Sequence, residues 1–306
     1  MSDALLAITG ATGFVGQSVL DLARREGLEV RALARRPQEA RAGVEWVQGD
    51  LADRTALRRL VGRASVVVHI AGVVNAPDAA GFDEGNVVGT MNVVEAALAA
   101  GVPRFIHVSS LSAREPQLSN YGASKLKGER IVQSTTLDWT VVRPPAIYGP
   151  RDTEMLELFK LARRGFVPLP PEGKLSIIHV SDLARLLLAL IPAGEDVSYR
   201  TFEPDDGQPG GWTHTSLARA IGMAVGRRVT AMPLPPAVLR FGAKADAMFR
   251  GKGAKLTADR VGYMCHADWM VSDGAAPPAA LWKPLVETRM GLHATAGWYR
   301  EAGWLK

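Results

Sequence analysis

The first 143 residues alternate short apolar runs with longer segments in which apolar residues recur every third or fourth position. The continuous runs at 4–8, 28–33, 44–48, 65–70, 104–108 and 139–142 predict buried strands. The periodic segments at 17–23, 55–61, 86–99 and 121–133 predict helices. Alternation of strand and helix implies an α/β domain, a doubly wound parallel sheet covered by helices on both faces. Ligands of such a sheet bind at the carboxyl ends of the strands. Beyond Pro144 the texture changes. Proline- and glycine-rich connections at 168–173, 204–211 and 233–236 separate shorter periodic segments, which predicts a smaller C-terminal substrate lobe. Residues 176–180, followed by Ser181-Asp182-Leu183-Ala184, predict a strand and a capped helix returning to the main sheet. The expected division is therefore 1–145 plus about 174–203 for the first lobe, and about 146–173 plus 204–306 for the second.

The loop after the first strand reads TGATGFVG, residues 9–16. Its glycines suit a phosphate cradle. Gly10 permits a sharp turn, Gly13 removes a side chain that would hold backbone N–H groups away from a pyrophosphate, and Gly16 lets the next helix approach the strand. Thr12, Phe14 and Val15 complete the loop, and the positive helix terminus lies under the phosphates. Strand before, helix after and a second strand behind distinguish this pattern from an ordinary glycine-rich turn.

Tyr121-Gly122-Ala123-Ser124-Lys125 opens a helical segment, and the four-residue step places Tyr121 and Lys125 on one face. A neighbouring ammonium favours the phenolate and makes a tyrosine a usable acid or base near neutrality. The same spacing also occurs on ordinary solvated helix faces, so its context matters. Upstream, 105–110 is an apolar strand ending in Ser109 and Ser110, where a hydroxyl can hydrogen-bond a reacting carbonyl oxygen; Ser110 is the better placed. Downstream, Arg143-Pro144-Pro145 ends another strand, and Pro144 can wall a pocket without presenting a competing donor.

Composition narrows the partners. Hydrophobic residues make up 47% and charged residues 22% of the 306, which fits a globular protein. The single cysteine, Cys265, excludes an intramolecular disulfide framework and fits a reducing compartment; with His266 and Asp268 beside it but no second cluster, no metal site is expected. The net charge of +5 comes from arginines spread along the chain, a pattern of solvated helix faces and not of a nucleic-acid stripe. No apolar stretch is long enough for a membrane span, and the first strand begins within a few residues of Met1, so a cytoplasmic protein without a signal peptide is expected.

Together TGATGFVG, Asp50-Leu51, His69-Ile70-Ala71-Gly72, Asn86, VSS at 108–110, YGASK and RPPAIYGP resemble an extended, or atypical, short-chain dehydrogenase/reductase of the NAD-dependent epimerase/dehydratase superfamily. The resemblance runs over about residues 4–190 and implies a Rossmann-type fold. It implies phosphate contacts from Gly10, Gly13 and Gly16, an adenine flanked by Asp50 and Leu51, and a cofactor lined by Ala71 and Gly72. It further implies a supporting role for Asn86, a catalytic Ser110, Tyr121 as acid/base and Lys125 on the ribose. Relatives often pair through two helices of this lobe, and 82–99 and 121–133 are the candidates for a homodimer contact.

The second strand ends in Ala34-Arg35-Arg36-Pro37 with no acidic residue to bind the ribose 2′-hydroxyl of NAD. A guanidinium there suits a 2′-phosphate, so NADP(H) is expected over NAD(H), with Arg35 the first candidate and Arg36 the second. The expected activity is hydride transfer between nicotinamide and a carbonyl or secondary alcohol of a small-molecule substrate. Nucleotide-sugar relatives usually carry an asparagine after the Arg-Pro strand, and here the run is Pro145-Ala146-Ile147. The alternatives are an NAD-dependent sugar epimerase or dehydratase, and a non-catalytic NADPH-binding scaffold or redox sensor. Only ten residues separate Ser110 from Tyr121, a shortness that resembles the accessory nucleotide-binding subunit of respiratory complex I.

Overall fold

The computed structural model describes residues 4–251, 254 and 256–306. The chain divides into two compact units, one comprising Met1–Arg143, Leu183–Glu203 and Pro277–Trp282, the other Pro144–Asp182, Pro204–Ala276 and Lys283–Lys306.

The first unit is built on a seven-stranded parallel sheet. Six of its strands are β1 (Leu5–Thr9), β2 (Glu29–Ala34), β3 (Val44–Gln48), β4 (Val66–His69), β5 (Arg104–Val108) and β6 (Asp138–Val142), and the seventh is Arg200–Phe202. From one edge the order runs Arg200–Phe202, β6, β5, β4, β1, β2, β3. Strand order therefore reverses between β1 and β4, and the crevice at such a reversal is where ligands of this architecture bind. The central strands β1, β4 and β5 are buried on both faces, which is why they read as continuous apolar runs, whereas β3 and Arg200–Phe202 at the two edges are partly exposed. Leu57, Leu60, Val67, Val93, Ala97 and Phe105 pack in one core on a single side of the sheet. Each large side chain buried there contributes about 1.5–3 kcal/mol.

Five helices of this unit are α1 (Phe14–Arg25), α2 (Arg54–Val61), α3 (Ala79–Asp83), α4 (Gly89–Ala99) and α5 (Asn120–Gln133). The Asp53 side chain caps α2 by accepting from the N–H groups of Thr55 and Ala56, and Ser119 caps α5 by accepting from Gly122 N–H. The helix expected over 86–99 starts earlier and is interrupted. A π-helical turn, Glu84–Val88, joins α3 to α4. The extra residue it accommodates turns Asn86 inward, a shift that apolar periodicity does not encode.

The second unit has its own core, in which Tyr148, Phe159, Trp212, Ile221, Leu292 and Tyr299 are buried. Three of its helices are Leu156–Arg163, His214–Val225 and Thr288–Glu301. Tyr148 is fully buried and donates to the Thr288 carbonyl at 3.4 Å. The strand expected to return to the main sheet does not do so. Ile177–His179 pairs instead with Ala146–Tyr148 in a separate two-stranded sheet. The edge of the main sheet is taken by Arg200–Phe202, which pairs with β6. The helix that follows Ile177–His179, Val180–Ala189, starts in the second unit and passes into the first after Asp182.

Candidate active site

The turn between β1 and α1 owes its shape to its glycines. Gly10 has φ +75°, and a Cβ there would stand 2.6 Å from the Ala71 nitrogen. A Cβ on Gly16 would stand 2.0 Å from the Gly10 carbonyl oxygen, so the loop and the first turn of α1 touch backbone to backbone. Gly13 caps the helix without a side-chain hydrogen bond, and its N–H donates to the Gly10 carbonyl at 3.0 Å. Of the flanking residues, Thr12 is exposed while Phe14 and Val15 are half-buried. A helix terminus with no side-chain cap behind a glycine-rich loop fits a dinucleotide pyrophosphate.

The carboxyl end of β2 runs into two arginines. Arg35 and Arg36 are exposed and, with Thr12 and Gln38, line an open hollow of about 560 Å³. Asp50 is exposed, but its Oδ1 is engaged by the N–H groups of Ala52 (2.9 Å) and Asp53 (3.1 Å). Leu51 packs into the sheet core and lies against Gly89, where a Cβ would approach its Cδ1 to 2.6 Å.

Across the carboxyl ends of β1, β4 and β5, Thr9 is in register with His69 and His69 with His107. Thr9 Oγ1 and His69 Nδ1 share a hydrogen bond of 2.7 Å, and His69 Nε2 lies 3.1 Å from Thr90 Oγ1, so His69 is a satisfied core histidine. His107 stacks on it with ring centroids 5.3 Å apart, and neither of its ring nitrogens has a hydrogen-bond partner. Burial, reinforced by the Lys125 cation, holds the His69 pKa down at about 3. The same two causes, with His69 added, hold His107 well below its ordinary value. Both rings are neutral at physiological pH.

Lys125 is buried, and its Nζ donates to the Val108 carbonyl at 2.9 Å. Burial lowers its pKa to about 8, partly offset by the charge of Glu129. Its ammonium lies just below the open position at Gly72, where a Cβ would be 3.6 Å from Nζ and 2.9 Å from Asn86 Oδ1. Asn86 clasps the chain after β4, its Oδ1 accepting from Val73 N–H (2.7 Å) and its Nδ2 donating to the Val73 carbonyl (2.9 Å) and to Ser124 Oγ (2.9 Å). The neighbouring Ala71 N–H donates to Thr9 Oγ1 at 3.2 Å. Asn86, Gly72 and Lys125 thus meet at one point.

Tyr121 precedes Lys125 by one turn of α5, is half-buried, and packs its ring against Phe82 with centroids 6.0 Å apart. Ser110 is half-buried, and its Oγ accepts from Ser112 N–H (3.2 Å) and Ser112 Oγ (2.9 Å) at the start of a 3-10 turn. Ser109 is buried and points elsewhere, its Oγ donating to Glu129 Oε1 at 2.5 Å. Pro144 is buried at the beginning of the second unit.

Glu129 is the residue that sequence reasoning passed over. It continues the four-residue spacing of Tyr121 and Lys125, is fully buried, and receives Arg143 through two bonds, Nε to Oε1 at 2.9 Å and an Nη to Oε2 at 2.6 Å. Arg143 also approaches buried Glu203 at 3.4 Å, and Arg114 lies 3.7 Å from the other oxygen of Glu203. This ion-pair network anchors α5 to the ends of β5 and β6 beneath Lys125. The Tyr-Lys-Glu spacing was the available signal; a carboxylate one turn from a buried ammonium offsets part of its desolvation cost.

A glycine cradle at a strand reversal, an uncapped helix terminus and a buried lysine one turn from a tyrosine define a class of nucleotide-dependent oxidoreductase. The chain belongs to the NAD dependent epimerase/dehydratase family, whose model matches residues 6–203, and it is an enzyme of the extended short-chain dehydrogenase/reductase type with a nicotinamide cofactor. It is 39% identical over 310 residues to a ceramide reductase of Caulobacter vibrioides (strain NA1000 / CB15N), covering 98% of this chain and 96% of the relative. It is 27% identical to the mitochondrial NADH dehydrogenase (ubiquinone) 1 alpha subcomplex subunit 9 of Dictyostelium discoideum, over 60% of this chain and 54% of that protein. Among solved structures, MoeE5 in complex with UDP-glucose and NAD has the same fold, with a TM-score of 0.75 at 22% identity over 98% of this chain and 99% of that one.

Proposed function

We propose that this chain is an NADP(H)-dependent reductase that converts a ketone on a ceramide-type lipid into a secondary alcohol. The observation that carries the reductase reading is the buried Lys125 ammonium one helical turn from Tyr121, at the carboxyl end of the sheet. A fixed cation there favours the phenolate form and makes Tyr121 an acid strong enough to protonate a carbonyl oxygen near neutral pH. The likeness to ceramide reductase along almost the whole chain suggests the substrate class. An amide carbonyl is stabilised by resonance, so the reducible group of such a lipid is a ketone standing where the product carries a hydroxyl.

In this reading Gly10, Thr12, Gly13, Phe14, Val15 and Gly16 hold the pyrophosphate, Asp50 and Leu51 flank the adenine, Ala71, Gly72 and Pro144 line the nicotinamide half, and Lys125 holds its ribose. The nicotinamide, when bound, supplies hydride. Ser110 donates a hydrogen bond to the substrate oxygen, and Tyr121 transfers its phenolic proton to that oxygen as the carbon is reduced. The phenolate then recovers a proton from water. Asn86 positions the chain at Val73 and so the floor of the site. Arg35 and Arg36, beside Thr12 and Gln38 around one hollow, support a 2′-phosphate and hence NADP(H); no carboxylate ends β2 to compete.

Turnover is tested by following NADPH and NADH oxidation with a keto-ceramide in detergent micelles. The expected result is NADPH-preferring reduction that Tyr121→Phe slows by about 10²–10⁴ in kcat while leaving NADPH affinity unchanged. Protein that binds NADPH but oxidises it with neither this lipid nor any simple ketone, or a Tyr121→Phe variant of full activity, refutes the proposal.

A further inference from the structure

The helix Pro236–Arg250 of the second unit has two apolar faces, and only one of them is covered. Leu239 and Ala243, one turn apart, are buried in a small cluster with Val261, against which Leu234, Leu256 and Cys265 pack. At 100° per residue, Phe241 and Met248 fall on the opposite side, with Val238 and Phe249 next to them. These side chains are outward: Val238 is 48% exposed, Phe241 74%, Met248 75% and Phe249 82%. The two phenylalanines alone present on the order of 300 Å² of apolar surface, and Val238 and Met248 add to it, which puts this helix in the range of the largest apolar patch of a typical monomer, a patch that is often functional. Arg240 and Lys244, also one turn apart, run along one border of this face. The only acid of the helix, Asp246, is turned to the inner side, where its carboxylate accepts from Leu256 N–H at 2.9 Å and pairs with Arg250 at 3.2 Å.

An apolar stripe with a cationic border and no outward acid is the composition of a helix that lies in the plane of a charged lipid surface. The chain's net charge of +5 has the same sign. Among the described residues no helix is long and apolar enough to cross a membrane. A second copy is a poorer occupant, because two-fold pairing of this face would bring Arg240 and Lys244 toward their own counterparts. We infer that the outer face of Pro236–Arg250 docks the enzyme onto anionic membrane, with Phe241, Met248 and Phe249 inserted among the acyl chains and Arg240 and Lys244 at the headgroups. The inference deepens the proposed function and rests on its lipid substrate, which resides in a bilayer.

The test is sedimentation of the full chain with vesicles of phosphatidylcholine alone or containing about one third phosphatidylglycerol, with no cofactor or ceramide present. Wild type should bind the anionic vesicles far more strongly, and less so as salt is raised. The F241S/M248S/F249S variant, checked for native circular dichroism, should lose at least about tenfold in partitioning. Neutralising the border by R240Q/K244Q should cost about fivefold per cation on anionic vesicles only. Wild type that stays in the supernatant with both vesicles, or a triple-serine variant that binds as wild type does, overturns the inference. So does a solution dimer that the triple variant dissociates while vesicles bind neither, since the face then belongs to a second copy. Vesicle binding without ketone reduction leaves docking standing and removes the proposed activity; reduction in detergent without vesicle binding does the reverse.

Discussion

Replacing Glu129 by glutamine tests the buried network and the lysine above it in one step. In the native protein both carboxylate oxygens are taken by Arg143, and one also receives the Ser109 hydroxyl. Glutamine keeps one acceptor and puts an NH2 group against a donor. Removing one partner of a buried ion pair costs about 3–5 kcal/mol. Arg143 keeps Glu203 at 3.4 Å, which sets the expected loss at the low end, about 3 kcal/mol. That is a fall in melting temperature of roughly 6–12 °C. The second effect is on charge. Glu129 is what raises the Lys125 pKa against burial, so its loss moves that pKa further below about 8. The lysine is a cation below its pKa, and a cation-dependent activity is lost as pH rises through it; the alkaline limb of kcat/KM should therefore move to lower pH in Glu129→Gln. Urea unfolding at neutral pH measures the first effect, and the pH profile of NADPH oxidation measures the second. An unchanged urea midpoint would refute the energetic argument. An alkaline limb that stays in place would refute the coupling between Glu129 and Lys125.

Gly16→Ala, whose Cβ would fall 2.0 Å from the Gly10 carbonyl oxygen, should abolish dinucleotide binding in calorimetry, because the obstacle is backbone and does not swing away. Arg35→Ala should weaken NADPH about tenfold to a hundredfold and leave NADH unchanged; an equal loss of both would show that Arg35 does not read the 2′-phosphate. His69 stays neutral when folded, with its pKa near 3, and His107 is likewise lowered, whereas both take up a proton near 6.5 when unfolded. The unfolded chain then binds more protons below pH 6.5, so stability should fall there by about 1.4 kcal/mol per pH unit per histidine as pH drops. His107→Leu should show a shallower loss of urea midpoint between pH 7 and 5, and an identical slope would count against the argument.

The alternation of strands and helices was legible because the central strands β1, β4 and β5 are buried on both faces and so read as apolar runs. The glycine turn was legible for a related reason: no other side chain fits where Gly10 and Gly16 meet the backbone. Tyr121 and Lys125 were readable as a helical pair, but what holds Lys125 was not, since its carbonyl partner Val108 lies on β5, and Glu129, on the same helix, is fixed by Arg143 from beyond β6. The destination of 176–180 was misread because a short apolar strand carries no mark of which sheet it will join; Ile177–His179 found Ala146–Tyr148. The outward face of Pro236–Arg250 escaped notice because apolar periodicity cannot distinguish a covered face from an uncovered one.

The π-helical turn Glu84–Val88 amounts to one residue too many for a regular helix, and that surplus acts as an index mark. Excising a single residue there would let the segment relax into continuous α-helix and rotate everything before it by about 100° relative to α4. Phe82 would swing away from the Tyr121 ring and Asn86 away from Val73, with no change in any residue of the glycine loop or of α5. The alignment of two distant segments is thus stored as a count of residues, which makes this stretch far less tolerant of deletion than of substitution.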